Sequence, residues 1–199
     1  MQESWAWVIG LGNPGEKYAY TRHNAGHLVI KELAESQGVQ LRRHKSGCQV
    51  ATVHLGYPGS EISTFNIATL DSYMNTSGIP TAKLVKFFNI DPASKLLIIH
   101  DELDLPAHEL RLKRGGGEGG HNGLRSISQS LGTKDYARLR IGIGRPHPRQ
   151  DPADYVLSPF GRAEKALLEE TVINAANAVT DVVSLGFTQA QQRLNSQKS

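Results

Sequence analysis

Residues 8 to 24 begin like a dinucleotide-binding fingerprint and then depart from it. Gly10, Gly12 and Gly15 satisfy the spacing G-x-G-x-x-G after a short apolar stretch. In a dinucleotide-binding unit the third glycine opens a helix at once. Here the polar stretch E-K-Y-A-Y-T-R-H-N follows Gly15, and a helical pattern starts only at Ala25. The first strand is therefore predicted to end in a polar loop, and such loops carry functional side chains in α/β proteins.

The size and composition of the chain favour one globular domain over residues 1–199. The chain has 199 residues, of which 39% are hydrophobic, enough for a proper core. Its apolar runs are far shorter than the ~20 residues of a membrane span, and the first residues lack a signal-peptide pattern. We therefore expect a soluble, uncleaved, cytoplasmic protein that does not bind membranes. The single cysteine, Cys48, excludes an internal disulfide bond.

Short β-branched runs alternate with helical patterns, which is typical of an α/β fold. Two closely spaced strands joined through Gly56-Tyr57-Pro58-Gly59 predict an antiparallel hairpin, so the sheet is expected to be mixed. The residues around 145–152 are expected to form a loop, and the tail after Arg193 to be frayed. The predicted strands cover 7–11, 49–55, 62–67, 95–100, 109–113 and 137–143, and the predicted helices cover 25–37, 76–88, 123–131 and 162–185.

Positive charge is concentrated in one segment. Between His108 and Arg149 there are nine Lys/Arg residues against three acids, a net charge of +6, although the whole chain carries only +3. Such a block indicates a surface that binds a polyanion such as a nucleic acid. A solvated face without a partner is the alternative.

Polar clusters follow several predicted strands, where ligands bind in α/β sheets. A histidine and an aspartate delivered from different segments suit a general base oriented by a carboxylate. The sequence has no G-x-S-x-G nucleophile motif, so water is the expected nucleophile. His100 and His121 lack the spacing of a dedicated metal site, and no metal is predicted.

Six ordered motifs within residues 8–144 make the chain resemble the bacterial-type peptidyl-tRNA hydrolases. They are G-L-G-N-P-G, T-R-H-N-A-G, Y-M-N-T-S-G, H-D-E-L-D, G-G-G-E-G-G-H-N-G-L and R-L-R-I-G-I-G. The resemblance implies hydrolysis of the ester between a peptide and the terminal ribose of tRNA, without a metal or organic cofactor. It also implies a monomeric, single-domain α/β/α sandwich with a mixed, mostly parallel central sheet.

The same resemblance assigns roles to individual residues. His23 is expected to activate water, and Asp101 to orient His23. The residues expected to bind the peptide and the reacting ester are Asn13, Tyr18, Tyr73, Asn75 and Asn122. Lys113 and Arg140 are expected to bind the phosphate backbone of the tRNA.

Two positions depart from the family pattern. Residues Thr69 to Ser72 replace a stretch that usually contains proline, and Arg114 stands where many relatives have an apolar residue. Arg114 could strengthen the tRNA contact or face solvent. The alternative functions are a non-catalytic RNA-binding relative and a nucleotide-dependent oxidoreductase. The intact His23 and Asp101 favour a peptidyl-tRNA hydrolase over the non-catalytic relative.

Overall fold

Seven strands form one sheet in the computed structural model, which describes residues 7–56 and 63–196. The strands are β1 (Trp7–Gly10), β2 (Arg42–His44), β3 (Cys48–Leu55), β4 (Ser63–Leu70), β5 (Leu96–Glu102), β6 (Leu110–Arg114) and β7 (Ala137–Gly142). The helices are α1 (Ala25–Ser36), α2 (Gly78–Phe87), α3 (Pro92–Lys95), α4 (Asn122–Leu131), α5 (Pro152–Val156), α6 (Lys165–Leu185) and α7 (Phe187–Ser196). Four short 3-10 helices, at 16–18, 22–24, 74–76 and 162–164, complete the described elements.

The strand order is β2-β3-β4-β1-β5-β7-β6, and the sheet is mixed as predicted. The four central strands, β4, β1, β5 and β7, run parallel, whereas the three outer pairings are antiparallel. The predicted hairpin between β3 and β4 is confirmed, but the turn at Tyr57 to Gly59 lies outside the described residues. The carboxyl ends of the parallel strands meet at one edge, where functional side chains converge.

Helices cover both faces of the sheet, so the expected α/β/α sandwich is confirmed. Alternate residues of a strand point to opposite faces, and β5 divides accordingly. Leu97 and Ile99 join a core with α1, α6 and α7, while Leu96 and Ile98 join a second core with α2 and α4. Every residue of β1 is buried, as expected for a central strand covered on both faces.

Close contact between β1 and α1 places the loop before α1 over the strand ends. A Cβ atom at Gly10 would lie 2.2 Å from the carbonyl oxygen of Gly26, and one at Gly26 would lie 2.4 Å from that of Ile99. Only glycine allows this approach. The helix begins at Ala25, as predicted, and His23 lies in the 3-10 turn just before it.

Several elements were missed or misjudged in the sequence, among them α7, α5 and β2. The tail was expected to fray after Arg193, but α7 continues to Ser196 and buries Leu194, so that prediction was wrong. The stretch 145–152 ends in a short helix, because Asp151 caps α5 and Pro152 occupies its first turn. The edge strand β2 is short and exposed, and its sequence R-R-H has no apolar alternation.

Among the described helices, none is long and apolar enough to cross a membrane. Cys48 is fully buried, and its thiol points to the carbonyl oxygen of Pro80 at 3.7 Å. Burial raises the pKa of this thiol to about 11, so it is chemically inert at neutral pH.

Candidate active site

His23 and Asp101 meet at the carboxyl edge of the sheet, as the sequence predicted. His23 lies before α1, and Asp101 lies near the end of β5. The Nδ1 atom of His23 is 2.8 Å from Oδ2 of Asp101 and 3.0 Å from Oδ1. Since an ionised carboxylate only accepts hydrogen bonds, Nδ1 carries the proton, and Nε2 is left with a lone pair.

A second histidine, His121, contacts the same carboxylate. Its Nε2 is 2.8 Å from Oδ1 of Asp101. Its Nδ1 accepts hydrogen bonds from the backbone N–H groups of Gly123 and Leu124, at 3.1 and 3.3 Å, and so caps α4. This cap fixes the tautomer, because Nδ1 must be unprotonated and Nε2 must carry the hydrogen. From the sequence His121 was considered only as a metal ligand, because the helix was predicted to begin at residue 123 rather than at Asn122, directly after His121.

The contacts at this centre shift the pKa values of Asp101 and His23. Burial alone would raise the pKa of Asp101, but its interactions with His23 and His121 hold that pKa well below the ordinary value. Burial opposes protonation of His23, yet the Asp101 carboxylate outweighs it and raises the pKa of His23 above the usual 6.5. Asp101 is therefore ionised at neutral pH, and an imidazolium formed at His23 would be stabilised.

A cavity of about 310 Å³ opens beside this pair. Its walls come from the strand end, the glycine-rich loop and α5, and they consist of His23, Asp101, Glu102, Leu103, Gly119, Gly120, His121, Asn122, Asp151, Pro152, Ala153 and Val156. The neighbour of His23, Arg22, anchors the chain that follows α5. Its guanidinium donates to Ser158 Oγ at 2.8 Å and to the carbonyl oxygen of Pro159 at 2.6 Å, and it stacks 4.5 Å from the Tyr155 ring. Arg22 thus connects α5, which lines the cavity, and the residues after it to the loop that carries His23.

Asn13 joins the first loop to the turn that carries Asn75. The side chain of Asn24 forms two hydrogen bonds with the backbone of Asn13, at 2.8 and 2.9 Å. The Oδ1 atom of Asn13 in turn accepts from the backbone N–H of Met74 at 2.8 Å. Within the described part of the chain the Nδ2 group of Asn13 has no acceptor, so it remains able to donate to a ligand.

The other candidate substrate-binding residues are distributed around this centre. Asn122 begins α4 and lines the cavity with His23. Asn75 is exposed in the 3-10 turn Met74–Thr76. The rings of Tyr18 and Tyr73 meet edge to face, 6.3 Å between centroids. Asn13 lines a second cavity rather than the one with His23, so of these candidates Asn122 shares a cavity with His23.

Four cations form a two-by-two array on β6 and β7. Arg111 faces Arg140, and Lys113 faces Arg138. Directly opposed like charges are unfavourable unless partners compensate them. Arg140 Nε lies 3.1 Å from Glu102, and Arg111 Nε lies 2.7 Å from Glu109, whereas Lys113 has no carboxylate within salt-bridge distance in the described ranges. Such an array is suited to a polyanion.

Arg114 points elsewhere. It donates to the carbonyl oxygen of Ala93 at 2.9 Å, and its guanidinium lies 4.9 Å from the centroid of the Phe187 ring. These contacts involve α3 and α7, so this side chain is held away from the array of Lys113 and Arg140.

A metal ion is the alternative occupant of this site. Among the described residues, His23, Asp101 and His121 each offer one possible ligand atom, and these atoms all lie within 4.8 Å of one another. The separations between nitrogen and oxygen are those of hydrogen bonds, and Nδ1 of His121 is occupied by the helix cap. A bound ion would have to replace both N–H···O contacts. The hydrogen-bond pattern therefore fits an acid–base centre better than a metal centre.

No serine, threonine or cysteine side chain in the described residues is hydrogen-bonded to the ring of His23. An activated protein nucleophile needs such a contact with its base. The arrangement instead provides an imidazole oriented by a carboxylate beside a cavity that can admit water, which is what activation of water requires.

Comparison with known proteins gave concordant matches. The family model described as peptidyl-tRNA hydrolase matches residues 7–199. The peptidyl-tRNA hydrolase of Kineococcus radiotolerans is 51% identical over 200 residues, covering 98% of both chains. That of Nocardia farcinica is 52% identical over 191 residues, covering 96% of both chains. A crystal structure of peptidyl-tRNA hydrolase from Acinetobacter baumannii superimposes with a TM-score of 0.85 and 35% identity, covering 98% of this chain and 96% of that one.

Proposed function

The chain belongs to the peptidyl-tRNA hydrolase family and hydrolyses the ester bond of peptidyl-tRNA, and we propose that His23 is the base that activates water for this reaction. The observation that carries the proposal is the contact between Nδ1 of His23 and the Asp101 carboxylate, at 2.8 Å. It leaves Nε2 as the basic atom of a ring that lines the cavity.

In the proposed reaction, Nε2 of His23 removes a proton from water while the oxygen attacks the ester carbonyl carbon. The bond to the terminal ribose then breaks, and the proton held by His23 passes to the ribose oxygen. The products are a free peptide and a reusable tRNA. Asp101 keeps the imidazole in the required tautomer and stabilises the imidazolium while it exists.

Amide side chains would hold the substrate around this base. Asn122 is the nearest candidate, because it shares the cavity with His23. The free Nδ2 of Asn13 and the exposed amide of Asn75 would bind the peptide. Tyr18 and Tyr73, whose rings meet edge to face, would flank the peptide.

Lys113 and Arg140 would bind the tRNA backbone. They belong to the two-by-two array, and Arg140 is linked through Glu102 to the wall of the catalytic cavity. Phosphates bound there would neutralise charges that the protein leaves only partly compensated. The proposal extends to a cytoplasmic monomer, with a single domain over 1–199, that needs no metal or organic cofactor.

The decisive experiment for the base compares His23→Ala with wild type in single-turnover deacylation of a defined N-blocked aminoacyl-tRNA. Loss of a general base should lower the rate by at least about 10²-fold while leaving tRNA affinity nearly intact. His54→Ala, at an exposed histidine on β3, is the matched control and should retain the wild-type rate. Wild-type turnover in His23→Ala would show that another group is the base.

The tRNA contact has a separate test. Lys113→Ala and Arg140→Ala should each weaken tRNA binding and flatten the plot of log affinity against log salt by up to about one unit. Hydrolysis of a minimal ester without the tRNA body should be unaffected. Lys86→Ala, an exposed lysine on α2, is the matched charge control. If the double variant Lys113→Ala/Arg140→Ala kept the wild-type affinity and salt slope, other residues would bind the phosphates, and Arg42, Arg43 and Lys45 would be the next candidates.

A further inference from the structure

Arg138 is a buried cation without an acidic partner. It is 2% exposed, and no carboxylate lies within salt-bridge distance in the residues that the structure describes. Its guanidinium donates to the carbonyl oxygens of Gly117 at 2.6 Å and Gly116 at 2.8 Å, and it lies 4.8 Å from the Tyr136 ring centroid. Burying a charge is costly unless it is well paired. The fold tolerates this cost for contacts with backbone carbonyl groups, two of them on one loop and a third, that of Lys134, at 3.5 Å.

The two carbonyl groups belong to the glycine-rich loop between β6 and α4. Gly116 has φ +96°, a conformation that other residues rarely adopt. A Cβ atom at Gly116 would lie 2.8 Å from Nζ of Lys113 and 2.9 Å from its Cε. The Lys113 ammonium therefore packs directly on the backbone that Arg138 holds, and the two side chains start from residues paired across β6 and β7.

We infer that Arg138 is a positioning residue for tRNA binding, which fixes the loop surface on which the Lys113 ammonium rests. This inference depends on the phosphate-binding role proposed above for Lys113. The guanidinium fork suits the task, because it reaches two successive carbonyl groups at once. Its own charge, uncompensated by an acid, adds to the positive potential of the array.

The far end of the loop has its own anchors. His121 is held by Asp101 and by the cap of α4, whatever Arg138 does. A defect at Arg138 should therefore affect tRNA affinity more than the chemical step. A change in tRNA affinity without a change in the rate of the chemical step therefore distinguishes a positioning role from a general loss of structure.

The first test is Arg138→Lys, whose single ammonium cannot span the two carbonyl groups. Its Kd for deacylated tRNA should rise about tenfold, with a single-turnover rate at saturating substrate within about threefold of wild type. A merely structural role would lower Tm and the fraction of active enzyme, while the folded enzyme kept the wild-type Kd. That result would overturn the inference.

The loop can be perturbed from its other side, which keeps the inference testable if Arg138→Lys does not fold. Gly116→Ala introduces a Cβ against the Lys113 ammonium and should raise Kd. Gly38→Ala, in the turn after α1, is the matched control, because its φ of +63° brings a similar backbone strain while its Cβ would meet nothing within 4 Å, and it should keep the wild-type Kd. Equal affinities in the two variants would refute the proposed contact.

A double-mutant cycle with Lys113→Ala tests whether Arg138 acts through Lys113. If Arg138 acts through Lys113, Arg138→Lys should raise Kd in the wild-type background and change it less than about twofold in the Lys113→Ala background. Additive effects on Kd would overturn the inference while leaving the proposed phosphate contact of Lys113 intact. If Lys113→Ala itself did not change Kd, both the phosphate contact of Lys113 and the positioning role of Arg138 would be refuted.

Discussion

The double contact on Asp101 makes a sharp prediction for Asp101→Asn. An amide has one acceptor and one donor where the carboxylate has two acceptors. Because His121 is fixed as a donor by the cap of α4, the amide oxygen must face His121. The amide NH₂ then stands 2.8 Å from Nδ1 of His23, where it opposes an Nδ1–H group. Although the amide oxygen would remain 3.0 Å from Nδ1, the closer NH₂ group favours the tautomer of His23 whose Nε2 is protonated, and Nε2 of such a ring cannot accept a proton from water.

The size of the effect follows from two losses. Restoring the active tautomer leaves buried donors opposed, at a cost of about 1–3 kcal/mol, and the missing hydrogen bond between imidazolium and carboxylate costs a further ~1.5–3 kcal/mol. Since ~1.4 kcal/mol corresponds to a tenfold change in rate, Asp101→Asn should be slower by about 10²–10⁴-fold. The assay is single-turnover deacylation of an N-blocked aminoacyl-tRNA, with binding of deacylated tRNA as the check on folding.

A second substitution isolates the tautomer contribution. His121→Asn keeps a residue that caps helices well but removes the donor to Asp101. In Asp101→Asn/His121→Asn the amide is free to rotate its oxygen toward His23, so the double variant should be at least about fivefold faster than Asp101→Asn alone. His121→Asn alone should be slower than wild type by less than about tenfold. A double variant no faster than Asp101→Asn would refute the proposed tautomer control.

Two further predictions concern the state of the catalytic centre. Because Asp101 outweighs burial and raises the pKa of His23 above 6.5, kcat/KM should fall as the pH drops through a midpoint above that value, where the ring becomes protonated and loses its lone pair; a profile already flat above about pH 6 would contradict this. Chelators such as EDTA should leave the rate unchanged, whereas activity lost to EDTA and restored by zinc would show that His23, Asp101 and His121 hold an ion.

Hydrophobic periodicity was sufficient to predict most of the fold. The strands β1 and β5 carry buried apolar runs, and α1 and α6 end within a residue of their predicted C-terminal limits. The failures have local causes. The Phe187, Ala190 and Leu194 stripe of α7 is helical in spacing, but its polar surroundings resemble a tail. Three prolines in residues 145–152 obscured the Asp-Pro signal for the start of α5.

The site was only partly predictable, because contacts between distant segments depend on strand order. His23 and Asp101 are 78 residues apart, and they meet because β1 lies next to β5. Arg138 and Arg140 are two residues apart on one strand, and the sequence gives no sign that one is buried and the other partly exposed. The difference arises because the glycine loop covers Arg138, a placement set by the pairing of β6 with β7.

Hydrogen bonding around Asp101 supports the proposal that His23 is the base, independently of any resemblance. Three imidazoles contact residue 101. His121 uses both ring nitrogens, one for the helix cap and one for the carboxylate. His100 directs Nδ1 to the backbone carbonyl of Asp101, at 2.7 Å, and burial lowers its pKa to about 3 while its Nε2 remains enclosed. Of the three, only His23 combines a carboxylate partner on one nitrogen with a free lone pair on a ring that lines the cavity, which is the combination that a general base requires.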